Sequence, residues 1–193
     1  VGGNTNLTSV STDGAGDTSI NGGSVTTTAA QTYSDAVNLG ADTTLAGTDL
    51  TLADTVDGAQ ALTLNGSGTT TFAAAVGGGT KLTSVTTDAP GSTALNGGAV
   101  TTTAAQTYSD SVTLGSDTTL AGTNITLADT ADGAQALTLN GSGTTTLGGA
   151  VGGSTNLTSA TTNAAGDTTL NASEVTTSGA QTYNDAVTLG VDS

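Results

Sequence analysis

Gln31-Thr32-Tyr33-Ser34-Asp35-Ala36-Val37-Asn38-Leu39-Gly40 decides how the chain is read, because it returns as QTYSDSVTLG at 106–115 and as QTYNDAVTLG at 181–190. The offset is the same both times. Val-Gly-Gly recurs in the same frame at Val1, Val76 and Val151, which divides the sequence into repeat 1 (1–75), repeat 2 (76–150) and a partial repeat 3 (151–193). The first two copies differ at scattered positions, mostly by mild exchanges such as Ile20 against Leu95 and Phe72 against Leu147. Self-similarity at a fixed period predicts units that pack on their neighbours in one continuous stack.

Composition narrows the architecture. The chain has 29 Gly, three Tyr, one Phe and no Trp, Met, Cys or His, and about a quarter of its residues are Thr. Val, Leu, Ala and Thr suit strands around a narrow interior. Disorder is argued against because β-branched and aliphatic residues recur at fixed positions, and collagen because Gly follows no three-residue period. Sixteen acidic residues face a single Lys81, giving a net charge of -15. That balance excludes nucleic acid and anionic membrane as partners, since both require a basic surface. No signal peptide or apolar run of membrane-spanning length occurs in the sequence, so an export signal is expected outside it. The lack of Cys is compatible with secretion.

Eight short strands per unit are expected: Leu7 to Thr12, Thr18 to Asn21, Ser24 to Ala29, Gln31 to Leu39, Thr43 to Ala46, Asp49 to Ala53, Ala61 to Asn65 and Thr69 to Ala74. Turn-formers separate them, among them Asp13-Gly14, Asn21-Gly22-Gly23, Asp57-Gly58 and Asn65-Gly66, and Pro90 is expected in a corner. Such strands could form an antiparallel sandwich, which the Asn-Gly steps at 21 and 65 would suit as hairpin turns. Three features favour a solenoid. Aromatic residues are few for a two-sheet core, and no linker separates the copies. Finally, Leu7, Val25, Leu45, Leu64 and Leu82 stand at near-even intervals that together close one repeat. The expected fold is therefore all-β: a parallel β-helix (β-solenoid), one continuous coil with about four rungs per 75-residue repeat. Leu7, Val25, Leu45 and Leu64 should point inward, and each unit should rise roughly 19 Å at about 4.8 Å per rung.

The pattern of VGG, LTS, LNGG, VTTT, AQTYSDAV, LG and DTTLAG resembles the β-strand repeats of giant secreted bacterial surface proteins, the filamentous-haemagglutinin-like and autotransporter-type adhesins. The resemblance covers the whole chain. It implies a right-handed parallel β-helix, export across a bacterial outer membrane and a stalk-like or adhesive role, and it carries no catalytic residues.

The residue inventory points the same way. Without His, Cys or Arg only carboxylates could act as acid and base. Each Asp occurs as a repeated turn residue rather than as one constellation breaking the repeat, so no enzyme and no obligatory cofactor is expected. Ca²⁺ would be the metal to consider, and Asp54 with Asp57, returning as Asp129 with Asp132, is the one repeated acidic pair worth testing. Turn formation is the simpler account of it. Tyr33, Tyr108 and Tyr183 could offer platforms to sugars, although corner packing suits their sparse spacing better. Ice binding would need Thr at the same place on successive rungs, and alignment on the anchors breaks that ladder in half of the rungs. The expected function is an extracellular repeat stalk or fibre segment of a bacterial surface adhesin or matrix filament, touching a host or neighbouring-cell surface. A binding module for Ca²⁺, carbohydrate or ice is the alternative. Because neither end carries an atypical capping repeat, self-association end to end or laterally, or continuation in a longer array, is also expected.

Overall fold

The computed structural model describes residues 1–190 of the chain, and among these there is no helix. Every strand pairing is parallel, so successive turns of the chain lie on one another as a β-solenoid. The coil is three-sided. Its first face carries seven strands, from Val10–Ser11 through Gln31–Tyr33, Leu50–Leu52, Thr69–Phe72, Ser92–Leu95 and Ser111–Leu114 to Ala131–Asp132. The second carries Asp17–Ile20, Ala36–Leu39 and Val56–Asp57, then Ala99–Thr101, Thr118–Gly122, Ala136–Gly141, Ser159–Thr162 and Gln181–Tyr183. Val76 joins these two sets by bridging to both Val56 and Val100. The third face is an unbroken nine-stranded sheet from Ser24–Thr26 to Ala186–Leu189, one strand per turn.

The number of turns per repeat is not a whole number. The stretch Gln31 to Leu39, expected as one strand, is two strands on two faces with a corner at Ser34-Asp35. Val56–Asp57 is a short strand of its own, and Val76 is a one-residue bridge. These raise the eight expected strand positions to eleven per unit, three to a turn, so that "about four rungs" resolves into three and two-thirds. A unit then rises about 18 Å at the spacing of parallel strands. Each copy starts one face away from where the last one started. The strand Val10–Ser11 lies on the first face, its counterpart Ser84–Thr87 on the third and Ser159–Thr162 on the second.

Alternation along each strand sends one residue in and the next out. Val25, Leu45 and Leu64 do pair in register and are buried, as their spacing predicts. The ladder then passes to Thr87, Tyr108 and Leu127 rather than to Leu82. Leu7 and Leu82 belong to other bridges, with Thr27 and Thr102. Leu7 is also a correction to the inward list: it lies on the first turn and is 42% exposed, whereas Leu82 and Leu157, stacked between turns, are fully buried. Each fully buried Leu contributes roughly 1.5–3 kcal/mol.

Corners follow local chemistry. Pro90 sits in an exposed bend between Ser84–Thr87 and Ser92–Leu95, where no ladder hydrogen bond is required of it. Gly77, the first Gly of the Val-Gly-Gly motif, has φ 68°, and a Cβ there would stand 2.1 Å from the Thr101 carbonyl oxygen. Only Gly fits such a position. The two Asn-Gly steps are not hairpins: Asn21 precedes a corner between parallel strands, and Asn65-Gly66 lies inside the strand Ala61–Gly66.

Candidate functional site

The QTY-x-D stretch builds the most elaborate side-chain cluster in the coil. In repeat 2, Gln106 and Tyr108 point inward from one strand and Asp110 occupies the corner that follows. The carboxylate of Asp110 is 3% exposed and accepts hydrogen bonds from two hydroxyls of the preceding turn, Thr87 Oγ1 at 2.6 Å and Thr93 Oγ1 at 2.9 and 3.0 Å. Hydrogen bonds to an ionised group are shorter and stronger than neutral ones, which is what a buried carboxylate needs. The same clamp recurs with Asp35, held by Thr12 and Thr18, and with Asp185, held by Thr162 at 2.6 Å and Thr168 at 2.7 Å. The Thr12 and Thr18 hydroxyls hold the Asp35 carboxyl below the usual carboxylate range, against a smaller opposing effect of burial.

Beside each clamp lies a Gln–Tyr pair. Gln106 Nε2 donates to the carbonyls of Val100 at 3.0 Å and Ala121 at 2.8 Å, tying two successive turns, and its Oε1 accepts the Tyr108 hydroxyl at 3.1 Å. Gln31 does the same with Val25, Ala46 and Tyr33. Burial pushes the Tyr33 phenol up to about 12. Burial, and then the neighbouring Asp110 carboxylate, raise Tyr108 still further. Tyr33 and Tyr108 are thus interior residues and cannot stack on a sugar. The arrangement joins turns, and in the first two copies its carboxylate and amide are both sealed from solvent.

Because the unit spans three and two-thirds turns, the three clamps occupy three different corners. Asp35 follows a first-face strand, Asp110 a third-face strand and Asp185 a second-face strand. The clamp was not legible as a site in the sequence. A signal was nevertheless present, since Thr12 and Thr18 precede Asp35 by the same two offsets as Thr87 and Thr93 precede Asp110 and as Thr162 and Thr168 precede Asp185.

The repeated acidic pair is dispersed into local roles. Asp57 Oδ1 accepts from the amides of Gly79 and Thr80, both at 2.8 Å, and so anchors the loop of the following turn. Asp132 repeats this with Ser154 and Thr155. Asp54 and Asp129 each accept from the next residue's amide, Thr55 at 2.7 Å and Thr130 at 2.8 Å. Among the described residues no three His, Cys, Asp or Glu side chains gather at one place as a metal ligand set.

The outward columns differ from face to face. On the first face the column reads Ser11, Thr32, Thr51, Thr71, Ala94, Thr113, Asp132. On the second it begins Ser19, Asn38, Asp57. On the third face it is Ser24 followed by eight consecutive threonines, Thr44, Thr63, Thr86, Thr107, Thr126, Thr146, Thr169 and Thr188. The anchor alignment missed this column because it compared the residues that follow each anchor, whereas Ser24, Thr44 and Thr63 stand just before Val25, Leu45 and Leu64, and because the next turn is longer and passes to Thr86 and Thr87 rather than to Leu82. Comparison of the chain with protein-family models, with curated proteins and with solved structures finds no match.

Proposed function

We propose that the chain is a segment of an extracellular stalk or fibre, part of a bacterial surface adhesin or matrix filament. One observation carries the reading: the backbone ladder crosses the boundary between repeats without a break, through Val76 paired to Val56 on one side and Val100 on the other. Nearest-neighbour stacking of this kind makes length additive, and interior backbone groups are satisfied by the turns above and below. The clamps reinforce each step. Their rotation from corner to corner presents any repeated surface feature on all three sides of the rod, which suits a fibre that meets partners from any direction. A net charge of -15 keeps such rods soluble. Asp54, Asp57, Asp129 and Asp132 serve here as loop anchors, and adhesion or self-association is the partner chemistry we assign to the rod.

Electron microscopy of the native parent material tests the reading. Unbranched rods of constant width support it; a string of beads, or compact particles, overturns it.

A further inference from the structure

The column of eight threonines on the third face calls for an account beyond strand propensity. Strand propensity would place Thr on every face alike, yet the first-face column is interrupted by Ala94 and Asp132, and the second face opens with Ser19, Asn38 and Asp57 and reaches only four threonines in succession, Thr119, Thr138, Thr161 and Thr182. The rotation of the repeat allows a sharper comparison, because each sequence position is displayed on a different face in each copy. Four positions of this column vary between copies. Ser11, Thr86 and Thr161 lie on the first, third and second faces; Ala94, Thr169 and Ser19 on the first, third and second. Thr113, Thr188 and Asn38 follow the same order of faces, as do Glu174, Ser24 and Ala99. Within the column the third-face copy bears a hydroxyl in all four cases, while the other faces include Ala, Asn and Glu; beside the column the third face also carries Asp167 and Ala186, where the first face has Ser92 and Ser111.

A second observation concerns the hydroxyls themselves. Inward threonines at the clamps are bonded, as with Thr87 and Thr93 to Asp110. The eight outward hydroxyls of the column have no protein hydrogen-bond partner among the described residues. They stand at the strand spacing of about 4.8 Å along a straight parallel ladder, and β-branching limits their side-chain rotamers. No charged or aromatic side chain interrupts the column, and Tyr33, Tyr108 and Phe72 all point into the core. A discrete soluble ligand would need a pocket, a charge or an aromatic platform. A neutral column repeating along an axis is matched by a partner that repeats along an axis too. The strand spacing lies close to the repeat of water oxygens along one axis of hexagonal ice.

We propose that the third face binds ice. Each Thr hydroxyl anchors one water at the strand spacing, its methyl group excludes competing waters beside it, and the resulting file of water joins the crystal lattice. Rigidity of the stacked turns pre-organises the file, so little ordering remains to be done on binding.

The test uses the full chain. Thermal hysteresis and ice recrystallisation are measured for the wild type, for T107K/T126K and T63K on the third face, and for T51K on the first, with circular dichroism establishing that each is folded. The wild type and T51K should shape ice crystals and hold a freezing gap, and both third-face variants should lose it. No hysteresis in the wild type, or equal loss in T51K, overturns the proposal. Sedimentation velocity supplies a separate arm: a wild-type dimer that T107K/T126K returns to monomer would assign the column to contact between copies, and ice binding would fall.

Discussion

Thr86 and Thr87 are neighbours in one strand and do opposite work. Thr87 points inward, is 1% exposed and donates to the buried Asp110 carboxylate; Thr86 points outward in the third-face column with a free hydroxyl. The difference teaches that the high Thr content has two separate causes. Inside the coil, threonine brings a hydroxyl to a corner where a carboxylate must be neutralised by donors. Outside, it supplies a regular surface. Alternation along the strand assigns each residue to one cause or the other.

The comparison breaks most visibly at the interior. Tyr108 is fully buried and bonded to Gln106, so Tyr108→Ala should leave a cavity and an unpaired amide oxygen. Denaturant midpoints should fall by the equivalent of about 3–5 kcal/mol, the range for truncating a buried aromatic. A loss below about 1 kcal/mol would show that the coil collapses onto the space, and that the Gln–Tyr pair does not set its cross-section.

Next in size is the clamp. Asp110→Ala strands two buried hydroxyls, each costing about 1–3 kcal/mol when unpaired, so a loss of about 2–4 kcal/mol is expected in the same assay. Converting Thr87 and Thr93 to Val in the Asp110→Ala background removes the unpaired groups and should recover part of that loss. If the triple variant is weaker than the single one, the hydroxyls are being satisfied elsewhere and the clamp is not the reason they are buried.

Much of this was legible before the structure. The period follows from the recurring motifs, the coil from the scarcity of aromatic residues and the missing linker together with the anchor spacing, and the Val25, Leu45, Leu64 ladder from near-even offsets over those turns. The fractional number of turns does not. It depends on a corner at Ser34-Asp35 that contains no Gly, Pro or Asn-Gly signal, and whose cause is the carboxylate held by Thr12 and Thr18 from an earlier turn. It depends also on Val76, a single residue that pairs like a strand. Both are set by contacts a full turn away in sequence, which local turn chemistry cannot see. Asn65-Gly66 fails for the converse reason, since its local preference for a hairpin yields to pairing with Ala46 and Gly47 on the turn before. Once the register is wrong by a few residues, a column such as Thr44 to Thr188 dissolves into noise.

Acid offers a gentler way into the same contrast. The Asp35 carboxyl titrates below its unfolded value because Thr12 and Thr18 donate to it. A depressed folded value means a contribution that is intact above about pH 4, the unfolded carboxylate's range, and lost as pH falls through the folded value. Asp88 has the opposite sign: burial, with the Asp110 carboxylate nearby, raises it, so protonating it on acidification relieves a cost. Thermal melts between neutral pH and pH 2 should therefore fall chiefly below pH 4, and Asp35→Asn should flatten that fall. An unchanged acid limb in Asp35→Asn would mean the Thr hydroxyls do not favour the ionised form.

The smallest effect is the most discriminating, because it separates neighbours. Thr87→Ala removes a hydroxyl donated to a buried carboxylate and should cost about 1.5–3 kcal/mol. Thr86→Ala removes an outward, half-buried hydroxyl with no protein partner, and surface changes of that kind stay within about 0.5 kcal/mol. The strand is the same, the substitution is the same and the change in β propensity is shared, so subtracting one midpoint from the other leaves only the side-chain environment. If Thr86→Ala costs as much as Thr87→Ala, threonine is present on both sides for the strand alone, and the third-face column loses its claim to a separate purpose. If Thr86→Ala is neutral, folding does not account for the eight-residue column, and its regularity has to be explained by what lies outside the protein.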